Sequence, residues 1–321
     1  MDRETYLDRT KSLRALRSSN LRAAWVVGRV TLLTVAGIAL SIQDHLFMWI
    51  LGQVALGTAI VQWFVLVHEC GHRHFFVTPW MNAAAGHLAS AFCLIPLWPW
   101  SDIHREHHRW VGWGDLDPTL RTTRPRVLKA HECRVVDFCW KWWIPIFTVA
   151  FGLLNFWNIP RLWQRYPSGR DRVRHVASVA FILIVHGSLM TLLGPAWTRI
   201  FGGGLCLFFL VSDPLLLSQH SHMPQHVSEG SKVTPFEPWE QDRFTRSIIF
   251  PDWISRWILL HFDAHGVHHL MPHLPCYHLG LAHERLDVRN RIDWWEWLVA
   301  AKRTPAHLLL FQDREQTGYS F

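Results

Sequence analysis

Apolar residues fall in long unbroken runs along this chain, not in the alternation of a half-buried strand. The first run is Ala23 to Ile42, interrupted by one charge, Arg29, near its start. The second, Leu46 to Val67, carries no charge, and only Gln43, Asp44 and His45 separate the two. Each is about 20 residues, enough to cross a hydrocarbon layer of roughly 30 Å as a helix. The pair therefore predicts a tight transmembrane hairpin. A second pair follows, His175 to Leu193 and Ile200 to Ser218, joined around Gly194-Pro195. Runs of this length satisfy their own backbone in lipid only as helices. The expected fold class is all-α integral membrane, with four transmembrane helices in two hairpins.

Two more apolar stretches are ambiguous. Asn82 to Trp100 is broken by Gly86, His87, Pro96 and Pro99, and Phe138 to Asn158 carries Lys141, Pro145 and several Trp. If the second crossed alone, Arg161, Arg165, Arg170, Arg172 and Arg174 would lie opposite the basic N-terminal segment, which holds Arg3, Arg9, Lys11, Arg14, Arg17 and Arg22. The positive-inside rule puts both on the cytoplasmic side, so both stretches read as interfacial or re-entrant. Residues His68 to Val135 and His220 to Phe321 then form a cytoplasmic cap. No small-residue cleavage site is evident after the first run, so no cleavable signal is expected. With no internal repeat or linker, residues 1–321 read as a single membrane-embedded domain.

Composition adds three points. The 20 Trp suit the membrane–water interfaces. The formal charge of +7 gathers beside the apolar runs and not in one stripe, which speaks for membrane topology and against nucleic acid. Cys70, Cys93, Cys133, Cys139, Cys206 and Cys276 form no CxxC pair, so neither a zinc ribbon nor a redox motif is indicated.

The 22 His are the feature that calls for chemistry. Just after the second run stands His68-Glu69-Cys70-Gly71-His72, whose i, i+4 histidines share one helix face. His104-Arg105-Glu106-His107-His108 and His265-Gly266-Val267-His268-His269 repeat an i, i+3, i+4 spacing. One such spacing carries little weight, but three on one side of a membrane are more than a mononuclear site can use. Imidazole suits Fe, Zn, Cu and Ni, and a dinuclear site can employ all eight. A rival reading takes His68-Glu69-x-x-His72 as a zinc protease motif, which leaves two boxes idle. A bis-His haem leaves more idle still.

The order HxxxH, HxxHH, HxxHH, with a hairpin before the first and third, resembles the membrane fatty-acid desaturases. His68 to Phe76 looks like the first box of the acyl-lipid type, and His265 to Leu279 like its third box and tail, the likeness running from about Trp63 to Leu279. The resemblance implies two irons held by His68, His72, His104, His107, His108, His265, His268 and His269. It implies a further ligand before box three, here His220 or His222 in Ser218-Gln219-His220-Ser221-His222. Box three begins with His rather than Gln and no His-Pro-Gly-Gly occurs, which implies an acyl-lipid type with a separate donor, ferredoxin or cytochrome b5. O2 is the implied co-substrate, and a fatty acyl lipid or acyl thioester drawn from membrane lipid is the implied substrate. The same boxes serve hydroxylases of acyl chains, alkanes or carotenoids, so that outcome stays open. Glu69, Glu106 and Asp263 are candidates to orient ligand rings. Asp115 and Asp117 read as a turn at a site mouth, and His74, His87, His131, His261, His273 and His278 as bystanders. The acyl tunnel is expected between the four spans and the Trp98-to-Trp113 region.

Overall fold

The computed structural model describes residues 1–121 and 127–311. After a short polar helix, α1 (Arg3–Lys11), come the first two long helices, α2 (Asn20–Ser41) and α3 (Leu46–Gly71). Next are α4 (Pro79–Cys93), α5 (Leu97–Trp110), α6 (Ala130–Lys141), α7 (Ile146–Asn155) and α8 (Ile159–Arg165). The second long pair is α9 (Gly169–Leu193) and α10 (Pro195–His220). These four long helices have the length and apolarity of membrane spans, and the chain is an all-α membrane protein in its architecture.

The spans extend past the apolar runs for local reasons. Ser19 caps α2 by accepting from Arg22 N, and Ser168 caps α9 by accepting from Asp171 N at 3.1 Å. Helix α3 has 26 residues, about 39 Å at the helical rise, longer than the hydrocarbon layer. Its last turns carry His68 and Glu69, and His72 caps it. The first histidine box is therefore the end of a span and not a loop beyond it.

Close approach holds α2 on α3. A Cβ on Gly52 would lie 2.6 Å from Ser41 N, so only glycine fits there. Gln53, buried, donates to Ser41 Oγ at 2.7 Å and Ile200 O at 3.0 Å, while its Oε1 accepts from Gly204 N at 2.8 Å. One amide thus ties α2, α3 and α10. Helix α10 packs chiefly on α3, whereas α9 packs on α4, α5 and α8 as well as on α10. The second pair is joined by a tight turn at Gly194, but its main packing is to other helices.

The two ambiguous stretches are both broken. Helices α4 and α5 meet at 100°, with Leu94 left-handed at φ 60° in the bend. The stretch Phe138 to Asn158 is divided at Trp142 to Pro145, and α7 has ten residues. At about 15 Å it is too short to cross alone.

The rest of the cap is α11 (Asp252–Trp257), α12 (His265–Leu270), α13 (Cys276–Arg285), α14 (Trp294–Arg303) and α15 (Ala306–Phe311). It also holds two three-residue strands, β1 (Ser247–Ile249) and β2 (Arg291–Asp293), paired in parallel with Ser247 opposite Arg291. Strands this short leave no alternation to read in a sequence. Tyr277 OH donates to Phe75 O at 2.9 Å, and Cys276 N donates to Glu69 Oε2 at 2.7 Å. These bonds fasten the segment after box three to the segment around box one.

Candidate metal centre

Four helices bring the histidines together: the C-terminal end of α3, the C-terminal half of α5, α12, and α10, which ends at His220. On a helix, residues i and i+4 share a face, and i+3 points to its other edge. Box two therefore splits, His104 and His108 going one way and His107 the other. Box three splits in the opposite sense, with His265 and His269 on one edge and His268 on the other.

The result is two adjoining clusters. His68, His72, His104 and His268 bring one ring nitrogen each within 4.8 Å of one another. His108 joins them, its Nε2 lying 3.0 Å from His104 Nε2 and 3.0 Å from His268 Nε2. The second cluster is His107, His220, His265 and His269. There His220 Nε2 is 2.6 Å from His265 Nε2 and 3.1 Å from His107 Nε2. The clusters abut where the His108 and His269 rings stack, centroids 4.2 Å apart.

Of the two candidates for the ninth position, the structure brings His220 into a cluster. His222 lies outside both, buried and left-handed at φ 59°. It stands two residues past the end of α10, where the helical face that presents His220 is lost.

The outer nitrogens decide what the inner ones can do. His107 Nδ1 donates to Asp117 Oδ2 at 2.6 Å, His68 Nδ1 to Glu69 Oε1 at 3.0 Å, and His269 Nδ1 to Gln241 Oε1 at 3.1 Å. With the proton held outside, each of these rings turns a bare Nε2 lone pair inward. Burial, reinforced by neighbouring rings, holds the imidazoles of His265, His268 and His269 well below their ordinary pKa. These rings are neutral, the form that binds metal. The Nε2 atoms of His68 and His72 are buried with no hydrogen-bond partner. Converging lone pairs in a dry space are unfavourable unless a cation sits among them. Nine such donors in groups of five and four fit two nitrogen-loving metal ions, iron included.

Of the residues the sequence offered as orienting groups, Glu69 does face a cluster histidine, His68. It also accepts from Cys276 N, so its carboxylate is occupied and turned from the cluster centre, unlike the water-activating Glu of a zinc protease. Glu106 pairs with Arg165, and Asp263 accepts from Ser255 Oγ at 2.8 Å. Asp117, read as a turn residue, holds His107 and accepts from Thr119 N at 2.8 Å and Thr119 Oγ1 at 2.7 Å. Asp115 accepts from Ser228 N at 3.0 Å. Gln241 escaped the sequence reading because a lone Gln far from any box has no local signal. His74, His87, His131, His261, His273 and His278 take no part in either cluster.

A cavity of about 940 Å³ opens onto both clusters, touching His68, His104, His107, His220 and His265. Its walls are mostly apolar, including Phe64, Trp100, Ile103, Phe151, Leu216 and Phe262. Helix α7 supplies a long wall, Ile146 through Leu154, while α2 and α9 supply none. The expected lining by all four spans is thus corrected: of the four, α3 and α10 reach the cavity, and α7 supplies the other long wall.

The family signature described as fatty acid desaturase matches residues 43–292. Among curated relatives, the chain is 27% identical over 274 residues to an acyl-lipid omega-3 desaturase (cytochrome b5) of the endoplasmic reticulum from Arabidopsis thaliana, covering 80% of this chain and 68% of that one. It is 26% identical to an sn-1 oleoyl-lipid 12-desaturase of a Picosynechococcus strain, covering 88% and 78%. It is 28% identical to a Delta(12) fatty acid desaturase of Caenorhabditis elegans, covering 72% and 62%. With a signature spanning most of the chain and the histidine clusters in place, this protein is an oxidoreductase that belongs to the fatty acid desaturase family.

Proposed function

We propose that this chain carries out O2-dependent desaturation of a long-chain fatty acyl group at a di-iron centre. The ligands are His68, His72, His104, His108 and His268 for one iron and His107, His220, His265 and His269 for the other. The observation that carries the reading is the pair of clusters, five and four rings, on the wall of one apolar cavity. A CH2 flanked only by CH2 is neither acidic nor polarised, so no side-chain acid or base can open it. Bound irons supply the O2-derived oxidant that this bond requires.

The protein's own work is placement and exclusion. A cavity of about 940 Å³ lies near the upper end of ligand pockets, roughly 300–1,000 Å³. Phe64, Ile103 and Phe262 hold an extended chain against the rings and keep water away. Asp117, Glu69 and Gln241 fix tautomers so that lone pairs stay inward. The chain works as one domain, with the histidine side facing the cytoplasm, as its flanking arginines suggest. An acyl lipid or acyl thioester is the substrate, and ferredoxin or cytochrome b5 the donor, as two Arabidopsis relatives' names indicate for those proteins.

The test is the fatty-acid profile of a host membrane expressing this chain beside His268→Ala, by mass spectrometry that locates double bonds. A new unsaturated species absent from the variant is the expected result. New hydroxylated lipid would replace desaturation by hydroxylation, and purified protein holding zinc in place of iron would overturn the di-iron assignment.

A further inference from the structure

Each of three ligands in the five-ring cluster is followed in the chain by an arginine: His72 by Arg73, His104 by Arg105 and His108 by Arg109. All three arginines are exposed. The four-ring cluster differs. Its ligands are followed by His108, Ser221, Gly266 and Leu270, none of them charged and the last three buried. Arg105 and Arg109 are i, i+4 on α5 and share a face. Arg73 joins them through Arg174, which pairs with the same Asp102 as Arg105 and shares the Trp98 ring with Arg73.

Nearby charges leave the patch positive. Asp102, buried, takes Arg105 and Arg174 in ion pairs, and Glu106 is turned to Arg165. Arg174 also adds to the patch: its guanidinium and that of Arg73 each lie 5.3 Å from the Trp98 ring. None of these arginines lines the acyl cavity. A cationic surface one covalent step from three ligands, and separate from the substrate route, is suited to electron entry.

We propose that Arg73, Arg105 and Arg109 form the docking surface for an acidic one-electron carrier protein, which reduces the centre through the five-ring cluster. This rests on the di-iron reading above. Each encounter oxidises the carrier by one electron and reduces the centre by one. Two encounters, with two protons and the two hydrogens removed from the acyl chain, complete the reduction of O2 to two waters. Charge on such a rim governs the rate of encounter and its salt dependence more than the chemistry that follows.

The experiment uses the iron-loaded protein in phosphatidylcholine nanodiscs, with a plant-type [2Fe–2S] ferredoxin and the soluble domain of cytochrome b5 as the carriers. Arg109→Glu and the double variant R105E/R109E should raise the KM for at least one carrier by about tenfold at low salt, an effect that fades as salt screens it. Single turnover driven by dithionite should stay within about twofold of the parent, since the patch acts on encounter and not on chemistry. Lys232→Glu, an exposed charge elsewhere, should change neither. Arg109→Lys should restore KM and give a zero-length carbodiimide cross-link from residue 109 to a carrier carboxylate. Loss of the dithionite reaction in the parent would instead count against the di-iron reading itself. An unchanged KM with both carriers overturns the docking surface. So does a KM that responds only to added anionic lipid, which would make the patch a membrane contact.

Discussion

Replacing Asp117 by Asn tests whether one buried carboxylate keeps the four-ring cluster competent for metal. Asp117 is fully buried, with Oδ2 at 2.6 Å from His107 Nδ1 and Oδ1 accepting from Thr119 N at 2.8 Å and Thr119 Oγ1 at 2.7 Å. Asparagine keeps the shape but offers one acceptor oxygen. Whichever way the amide turns, its NH2 faces either the His107 N–H or the Thr119 donors. A hydrogen bond to a charged group contributes about 1.5–3 kcal/mol, and loss of an outer partner typically weakens metal affinity about 10–100-fold, or about 1.4–2.8 kcal/mol. The two estimates agree. The assay is iron per chain after equilibration with graded chelator. Asp117→Asn should release about one of two irons at chelator levels about 10–100-fold below those needed for the parent. Asp115→Asn, which disturbs the bonds to Ser228 and none to a cluster histidine among the described residues, is the control. Equal retention of both irons by Asp117→Asn and the parent would refute the role given to this carboxylate.

Three further outcomes are expected. His220→Ala should lose iron from the four-ring cluster while His222→Ala retains it, read as metal content; the reverse would exchange their roles. Gly71→Ala would drive a methyl into the Trp100 ring, whose Cε3 lies 2.7 Å from that position. Overpacking costs about 1–3 kcal/mol, so the detergent-solubilised protein should melt earlier and bind less iron, because Trp100 stacks on His104 at 4.2 Å; an unchanged melting temperature would contradict this. His283 lies 3.0 Å from an Arg291 nitrogen through Nε2, a contact in which neutral imidazole accepts. Burial first, then the Arg291 charge, hold its pKa at about 4 against an ordinary 6.5. The unfolded chain therefore binds the proton first, so stability is full above about 6.5 and declines as pH falls towards 4. His283→Gln should flatten that part of the melting-temperature curve, and parallel curves would refute it.

Much of this molecule was legible in the sequence because the signals are local. A charge-free run such as Leu46 to Val67 has one solution in lipid, a helix, and Gly194-Pro195 marks the turn of the second pair wherever its helices end up. The histidine spacings were equally readable, since i, i+3 and i+4 fix angles around a single helix. What local pattern could not reach was partnership. That His104 and His108 share a centre with His268, while His107 shares another with His265 and His269, depends on how α5 and α12 lie against each other. These segments are about 160 residues apart in the chain, and the bond between His108 and His268 spans that separation. Their placement is set by contacts with no sequence signature: the absent side chain at Gly71 that admits Trp100, the Cys276 amide on Glu69, the amide of Gln53 among three helices. The same holds for Asp117, a turn residue by local rules and a ligand's partner only once its turn is folded back on α5. Residue type and spacing along a helix determined which donors suited to metal the chain could offer. The packing of distant helices decided which rings meet, which carboxylate steadies them, and that His220, which still rides the end of α10, joins a cluster while His222 has left it.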